Sequence, residues 1–530
     1  MGIKLALDFG TTNTVVARWD ETAEHAELIS LAELACPDPL PIIPSLLYVH
    51  DGASGRNSAA CEVLVDKLNH RRDNRLFRNF KRGVVTLPTP APRLIDNVAW
   101  GDREAAEAYL KRIFAALPFP TSEIEELVIT VPVVAFDHYL DWLRNAFAAY
   151  DISKIRLVDE STAAALGYAV QTPGEPVLVF DFGGGTLDLS LIELPKQRAK
   201  TGGLLEALRR GDTQQYTARV LAKAGRILGG SDIDQWLFME VLKRLDIRHE
   251  QIGDAYTPLL SACEVAKIAL TETDSVTINV DFGNETHPIT LHRTDLEAIL
   301  EQNGFFIAIR HLVDKVMHTA GREGIFKEDI RHVLAVGGTS LMPSVRHTLN
   351  QYFRQATLHT EKPFTAIVEG ALQVTAGYGL DDYLINSYGL RYLDENTGQH
   401  AYDEIIPQGT PIPTQATYEV LMGASHDGQT ELEFIIGLID TESPAMLEVR
   451  SENGQTVFVA RPDQNQTRVV ALNEFAPPII VPLNPPGLAA DEERLRAVFR
   501  VDAERRLRVT VTDLKTRREL LKDQIVVTLR

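Results

Sequence analysis

The sequence predicts a two-lobed α/β domain over residues 1–380, a connecting segment over 381–388 and an all-β sandwich over 389–530. Three observations carry this expectation. The stretch Val177–Ser190, VLVFDFGGGTLDLS, reads as strand, glycine turn, strand. Ile3–Val16, IKLALDFGTTNTVV, repeats that design at the start of the chain. One such loop would mark an ordinary hairpin, but two in one chain favour related half-domains closing on a shared ligand. From about Asp381 helical periodicity stops, and short alternating runs separated by turn formers take over.

The two loops also suggest a chemistry. Glycine permits positive φ and lets backbone N–H groups come close to an anion, so Gly183, Gly184 and Gly185 with Thr186, and Gly10 with Thr11, Thr12 and Asn13, suit phosphate. A carboxylate at the mouth of a phosphate loop makes sense only beside a cation. Asp181 and Asp188 are therefore candidates to orient a hydrated Mg2+, which keeps most of its waters and needs few carboxylates; Asp8 stands at the equivalent place in the first loop.

Composition sets limits. With 530 residues, 45% of them hydrophobic, there is material for several buried cores. The formal net charge of −20 speaks against nonspecific binding to nucleic acid or anionic membrane. Cys36, Cys61 and Cys263 are sparse and odd in number, which argues against a disulfide framework and fits a reducing cytoplasm. No cleavable signal, bilayer-length apolar run or HExxH pair is readable, so a cytoplasmic location without membrane or zinc is expected.

In chain order, Leu40–Ser45 is a Pro-punctuated loop leading to the strand Leu46–Val49. The basic stretch His70–Arg82 reads as a solvated helix face, or as a carrier for one cation, Lys81, aimed at phosphate. Asp102–Leu117 has helical spacing; Leu127–Val131 is a strand closed by Pro132, and Asp137–Tyr150 is a helix with Leu140, Leu143 and Phe147 on one face. Ile155–Val158 is a strand running into Asp159 and Glu160, where a carboxylate can face a ligand, with Ser161 or Thr162 as the helix cap. Residues 196–213 read as a surface insertion. Leu228–Asp232 leads into a long helical stretch through Asp246, and helices follow over Thr257–Leu270, with Glu264 and Lys267 on one face, and Thr294–Ala320, with strands near Val276–Val280 and Ile289–Leu291. The strand His332–Val336 ends in Gly337 and Gly338 before a helix opened by Pro343, another anion-facing junction. A small-residue helix over Phe364–Gly377 closes the domain. The later strands are expected at 389–393, 419–422, 432–439, 445–449, 456–460, 467–471, 495–501, 507–512 and 525–529, with turns at Glu452-Asn453-Gly454 and Pro485-Pro486-Gly487.

These motifs together resemble the DnaK-type, seventy-kilodalton heat-shock chaperone family. The resemblance is carried by LDFGTTNT at Leu7–Thr14, IPS at Ile43–Ser45, FKR at Phe80–Arg82, TVP at Thr130–Pro132 and DESTAAALGY at Asp159–Tyr168. It continues through FDFGGGTLDLS at Phe180–Ser190, LGGSDID at Leu228–Asp234, ACEVAK at Ala262–Lys267 and VGGTSLMP at Val336–Pro343. The resemblance implies an actin-like ATPase domain and a β-sandwich that holds extended polypeptide, with co-chaperone and exchange-factor partners. It implies that Thr11, Thr12 and the Gly183–Thr186 loop hold the β- and γ-phosphates of ATP, and that Asp8 and Asp181 orient Mg2+ waters. Lys81 resembles the catalytic lysine, Glu160 and Thr186 stand near the γ-phosphate, and Pro132 matches a proline that relays nucleotide state. Glu264, Lys267, Gly337 and Gly338 line the adenosine end.

The departures are specific. Two arginines that sandwich adenine in the family are Ile268 and Leu341 here, which removes a cation–π contribution of ~0.5–2 kcal/mol per contact. The segment DDYLIN at Asp381–Asn386 replaces the family's acidic, leucine-rich linker, and the sequence closes at Leu529-Arg530 without a helical lid, so fast peptide exchange is expected. The readings to compare are a slow ATP-hydrolysing chaperone, a small-molecule kinase on the same fold, and a nucleotide-gated adaptor or filament.

Overall fold

The computed structural model describes residues 2–36, 40–86, 89–133, 137–150, 152–168, 174–196, 217–282, 285–376, 378–394, 397–414, 416–440, 446–452, 455–461, 468–473, 479–488 and 493–529. The insertion read at 196–213 falls almost wholly outside them, as does the Asn453-Gly454 turn. Two compact units, Met1–Leu380 and Asp381–Arg530, divide the chain.

The first unit holds two sheets of the same design. In one, the order is Lys154–Asp159, Ile124–Val131, Ile3–Phe9, Asn13–Asp20, His25–Leu28, with the first three strands parallel and the last two antiparallel additions. In the other, the order is Thr357–His359, His332–Val336, Pro176–Phe182, Leu187–Glu193, Thr217–Arg226, with the same sense at every pairing. The two Asp-Phe-Gly loops are thus the same hairpin in each copy. Each sheet has its own core: Phe9, Phe80, Tyr109, Tyr139 and Phe147 lie in one, Phe180, Phe182, Phe238 and Phe305 in the other.

The lobes are joined where Glu160–Tyr168 crosses Ala366–Thr375. The crossing depends on glycine: a Cβ on Gly370 would fall 1.6 Å from the Ala163 carbonyl oxygen, and one on Gly167 2.3 Å from that of Ala366. The first of these helices begins at Glu160, and its cap is Asp159, whose Oδ1 accepts the Thr162 N–H at 3.2 Å. The expected cap at Ser161 or Thr162 is corrected accordingly. The expected helix Thr294–Ala320 is two helices, Arg293–Gln302 and Phe305–Gly321, because Gly304 between them takes φ +68°.

The basic stretch His70–Arg82 is not one helix face. It comprises a short helical turn Leu68–His70, a strand Leu76–Arg78 and a helix Phe80–Val85, separated by Asn79 in the left-handed region. Phe77 and Phe80 are buried, and Arg75, Arg78 and Arg82 each pair with a carboxylate. The expectation of no disulfide is also overturned: Cys36 and Cys61 are bonded, with Cα atoms 5.5 Å apart, while Cys263 is free and buried. Their 25-residue separation forms no recognisable motif; the two meet because the loop after His25–Leu28 folds against the helix Cys61–Val65.

In the second unit, a sheet ordered Gln399–Ile406, Ser387–Asp394, Ile436–Asp440, Arg468–Ala471 and another ordered Tyr418–Met422, Leu495–Val501, Arg506–Asp513, Arg518–Thr528 contribute to one core containing Tyr388, Phe434, Ile436, Phe499 and Val509. The stretch read as a connecting segment is part of this unit. Leu384 is fully buried in its core and donates its N–H to Thr410, and Asp382 pairs with Arg505 and lies opposite Ile412 in a strand pairing. The expected strand 432–439 is broken at Ile435 into Gln429–Phe434 and Ile436–Asp440. The proline turn at Pro485–Gly487 is instead the end of a strand, Ile479–Gly487, which among the described residues pairs only with Gln429–Phe434, so that proline is tolerated at an edge.

Candidate functional site

The cleft between the lobes of the first unit collects the carboxyl ends of the central strands. Asp8 ends Ile3–Phe9, Thr130 lies near the end of Ile124–Val131, Asp181 ends Pro176–Phe182, and Glu160 follows Lys154–Asp159. In open α/β sheets this edge is where ligands bind, because loop N–H groups and strand-end side chains converge there. Asp8, Gly10, Thr11, Thr12, Asn13, Lys81, Glu160, Asp181, Gly183, Gly184, Gly185, Thr186, Glu264, Lys267, Gly337 and Gly338 all line it. Asp188 does not: it is fully buried, opposite Asp181 in the hairpin register.

The two hairpin loops face each other. A Cβ on Gly184 would lie 2.0 Å from Thr12 Oγ1, and one on Gly185 2.4 Å from Thr11 Oγ1, so only glycine admits the threonines of the opposite loop. Neighbouring segments take up the glycine-loop carbonyls: Gly183 O accepts from Gly230 N at 3.0 Å and Thr339 Oγ1 at 2.8 Å, and Gly184 O accepts from Ser231 N at 2.9 Å. Ser45 steadies the first loop, its hydroxyl donating to Gly10 O at 2.8 Å.

Charge is unbalanced at the floor of the cleft. Lys81 Nζ donates to Glu160 Oε1 at 2.7 Å, and Thr130 Oγ1 to Asp8 Oδ1 at 2.7 Å. Burial and the Glu160 charge push Asp8 up to about 7; the same two causes raise Asp181 and Asp188 well above the carboxylate range. Burial opposes the charge on Lys81, but Glu160, Tyr139 and Asp8 outweigh it and raise its pKa. Among the described residues, Asp181 Oδ2 is buried without a hydrogen-bond partner. Four carboxyl groups around one lysine call for further positive charge. Among the described residues, no three His, Cys, Asp or Glu side chains are arranged to hold a metal directly.

Ion pairs close the mouth. Arg78 pairs with Glu264 and Arg82 with Asp232 at 2.8 Å, both linking the lobes; Lys267 pairs with Asp234 at 2.8 Å and donates to Gly230 O at 3.0 Å. Glu264 and Lys267 therefore shape the wall through these partners. The far wall is apolar: Ile268, Leu341, Met342, Phe364 and Ile367, with Thr271 and Glu272 at its edge. Sequence reasoning passed over Phe364, which lies against Gly338; its position directly after Pro363, between a strand and a helix, was the available signal.

Duplicated sheets, paired glycine–hydroxyl loops and a buried lysine–carboxylate pair thus meet in one cleft of the first unit. Residues 109–448 match the profile of the Hsp70 protein family. The chain is 28% identical to the chaperone protein DnaK of Thermosipho melanesiensis over 454 residues, covering 81% of this chain and 69% of that protein. It is 28% identical to an HscA homologue of Laribacter hongkongensis, covering 81% and 67%, and 26% identical to one of Shewanella denitrificans, covering 97% and 77%. The chain belongs to the Hsp70 family, and as such is an ATP-hydrolysing chaperone.

Proposed function

We propose that this cleft binds ATP with its phosphates between Thr11–Thr12 and Gly183–Thr186, and that hydrolysis there governs binding of extended polypeptide by the second unit. The observation that carries the reading is the facing pair of loops above the Lys81–Glu160 pair. Asp8 and Asp181 are suited to hold Mg2+ through its waters: their excess negative charge and the unpartnered Asp181 Oδ2 fit a hydrated cation. Bound there, Mg2+ would neutralise phosphate charge.

The protein's own residues do the rest. Backbone N–H groups of the glycine loop and the hydroxyls of Thr11, Thr12 and Thr186 fix the phosphates. Lys81, oriented by Glu160, supplies a fixed positive charge where negative charge develops on the transferring phosphoryl group, and positions the attacking water. The base lies against Ile268, Leu341 and Phe364, an apolar sandwich in place of two arginines. In the second unit, a groove lined by Leu390, Tyr392, Leu393, Val420, Met422 and Phe434, with Asp403 and Glu431 beside them, is suited to an extended chain. Co-chaperones and an exchange factor are further partners in this reading.

The test is steady-state ATP hydrolysis by the full chain with and without an unfolded polypeptide. Turnover stimulated by polypeptide supports the coupling; polypeptide bound with no change in turnover refutes it.

A further inference from the structure

We infer that the Tyr139 hydroxyl is a positioning group of the phosphoryl-transfer site, holding the attacking water together with Lys81 and Glu160. The inference rests on the reading that ATP binds in the cleft.

Tyr139 lies in the first turn of the helix Asp137–Phe147, which follows the strand Ile124–Val131. That strand sits between the ones that deliver Asp8 and Glu160, so the helix starts at the same ligand-bearing edge. The ring is held firmly. It stacks on Trp142 with centroids 5.8 Å apart and planes 24° off parallel, and Trp142 is fixed by donating its Nε1 hydrogen to Glu107 at 3.0 Å. Trp142 also lies 6.4 Å from the Phe9 ring, over which Lys81 Nζ sits at 5.8 Å. The side chain is fully buried, yet its hydroxyl has no hydrogen-bond partner among the described residues.

A buried tyrosine hydroxyl in an apolar core would be expected to find a carbonyl or to be phenylalanine. This one instead shares its core with Phe9 and Phe80, the chain neighbours of Asp8 and Lys81, and feels the charges of Lys81, Glu160 and Asp8. Burial pushes its pKa to about 12, with Lys81 opposing and Glu160 and Asp8 reinforcing, so the proton stays on oxygen. A neutral hydroxyl offers one donor and two acceptor positions, whereas Lys81 offers donors only and Glu160 acceptors only. The hydroxyl therefore supplies what that pair lacks: one group able both to donate to a water oxygen and to accept a water proton. Two fixed anchors orient a water's lone pair better than one.

The experiment compares full-length wild type, Tyr139→Phe and Tyr139→His by ATP-binding calorimetry, thermal melting and single-turnover hydrolysis. Tyr139→Phe removes only the oxygen; the expected result is a hydrolysis rate constant lowered tenfold or more, with ATP Kd and Tm unchanged. Tyr139→His, an aromatic ring with an N–H donor, should hydrolyse faster than the Phe variant. Wild-type hydrolysis by Tyr139→Phe, or a loss confined to ATP affinity, would overturn the inference while leaving the ATP site intact. Should Tyr139→Phe melt early, equal rates for the His and Phe variants would overturn it. Failure of wild type to bind ATP would instead remove the reading on which the inference stands.

Discussion

Lys81→Ala should separate binding from chemistry. The Lys81 ammonium is buried, pairs with Glu160 at 2.7 Å and lies among Asp8, Asp181 and Glu160. A fixed charge of this kind at a developing anion is worth about 10²–10³ in rate, or roughly 3–4 kcal/mol. The phosphate loops do not depend on it, so ATP affinity should change by less than about tenfold. Folding responds as well. Removing one partner of a buried ion pair costs about 3–5 kcal/mol when the other charge is stranded, but Asp8 can take up a proton and lower the negative charge around Glu160. The variant's stability deficit should therefore shrink between pH 8 and pH 6. The assay is single-turnover hydrolysis with calorimetric ATP binding, plus melting at the two pH values. Hydrolysis at the wild-type rate, or loss of binding with an intact rate at saturation, would refute the role given to Lys81.

Three further outcomes are expected. Asp8 keeps its proton to about pH 7 when folded, against an ordinary value of 3.8, so the folded chain binds more protons than the unfolded one across that window. Asp8 then stabilises the nucleotide-free protein fully only below pH 4, and up to about 4 kcal/mol is lost as pH rises to 7; melting against pH without nucleotide checks this. Arg78→Ala breaks a pair across the cleft mouth and should speed nucleotide release several-fold without changing the hydrolysis step, measured by chase of a fluorescent ATP analogue. Reducing the Cys36–Cys61 bond, which closes a loop of 25 residues, should lower stability by up to about 3.5 kcal/mol and raise the thiols titrated after denaturation from one to three.

The sequence showed most of the cleft because its chemistry is local. Each hairpin loop carries its aspartate, glycines and hydroxyls within a few positions, and a strand-turn-strand pattern places them without tertiary knowledge. What escaped is what only packing decides. Tyr139 lies within the expected helix Asp137–Tyr150 and drew no reading of its own; its hydroxyl matters only because packing buries it unpartnered among the described residues, in one core with Phe9 and Phe80. The arginines of His70–Arg82 look like a solvated face until Asn79 breaks the helix and the other lobe supplies Glu264 and Asp232. Leu384 suggests a linker by its surroundings, but its burial in the β core assigns the segment to that unit. Asp188 stands directly opposite Asp181 in the hairpin, on the same face of the sheet, but it is fully buried behind the residues that line the cleft.

Titration calorimetry of the full chain with ATP, with and without Mg2+, tests most directly whether the facing loops close on a magnesium-bearing triphosphate. A saturable heat at one site per chain, sharply weakened by chelating the metal, is the result expected. No heat at millimolar ATP and Mg2+, or binding indifferent to the metal, would contradict it.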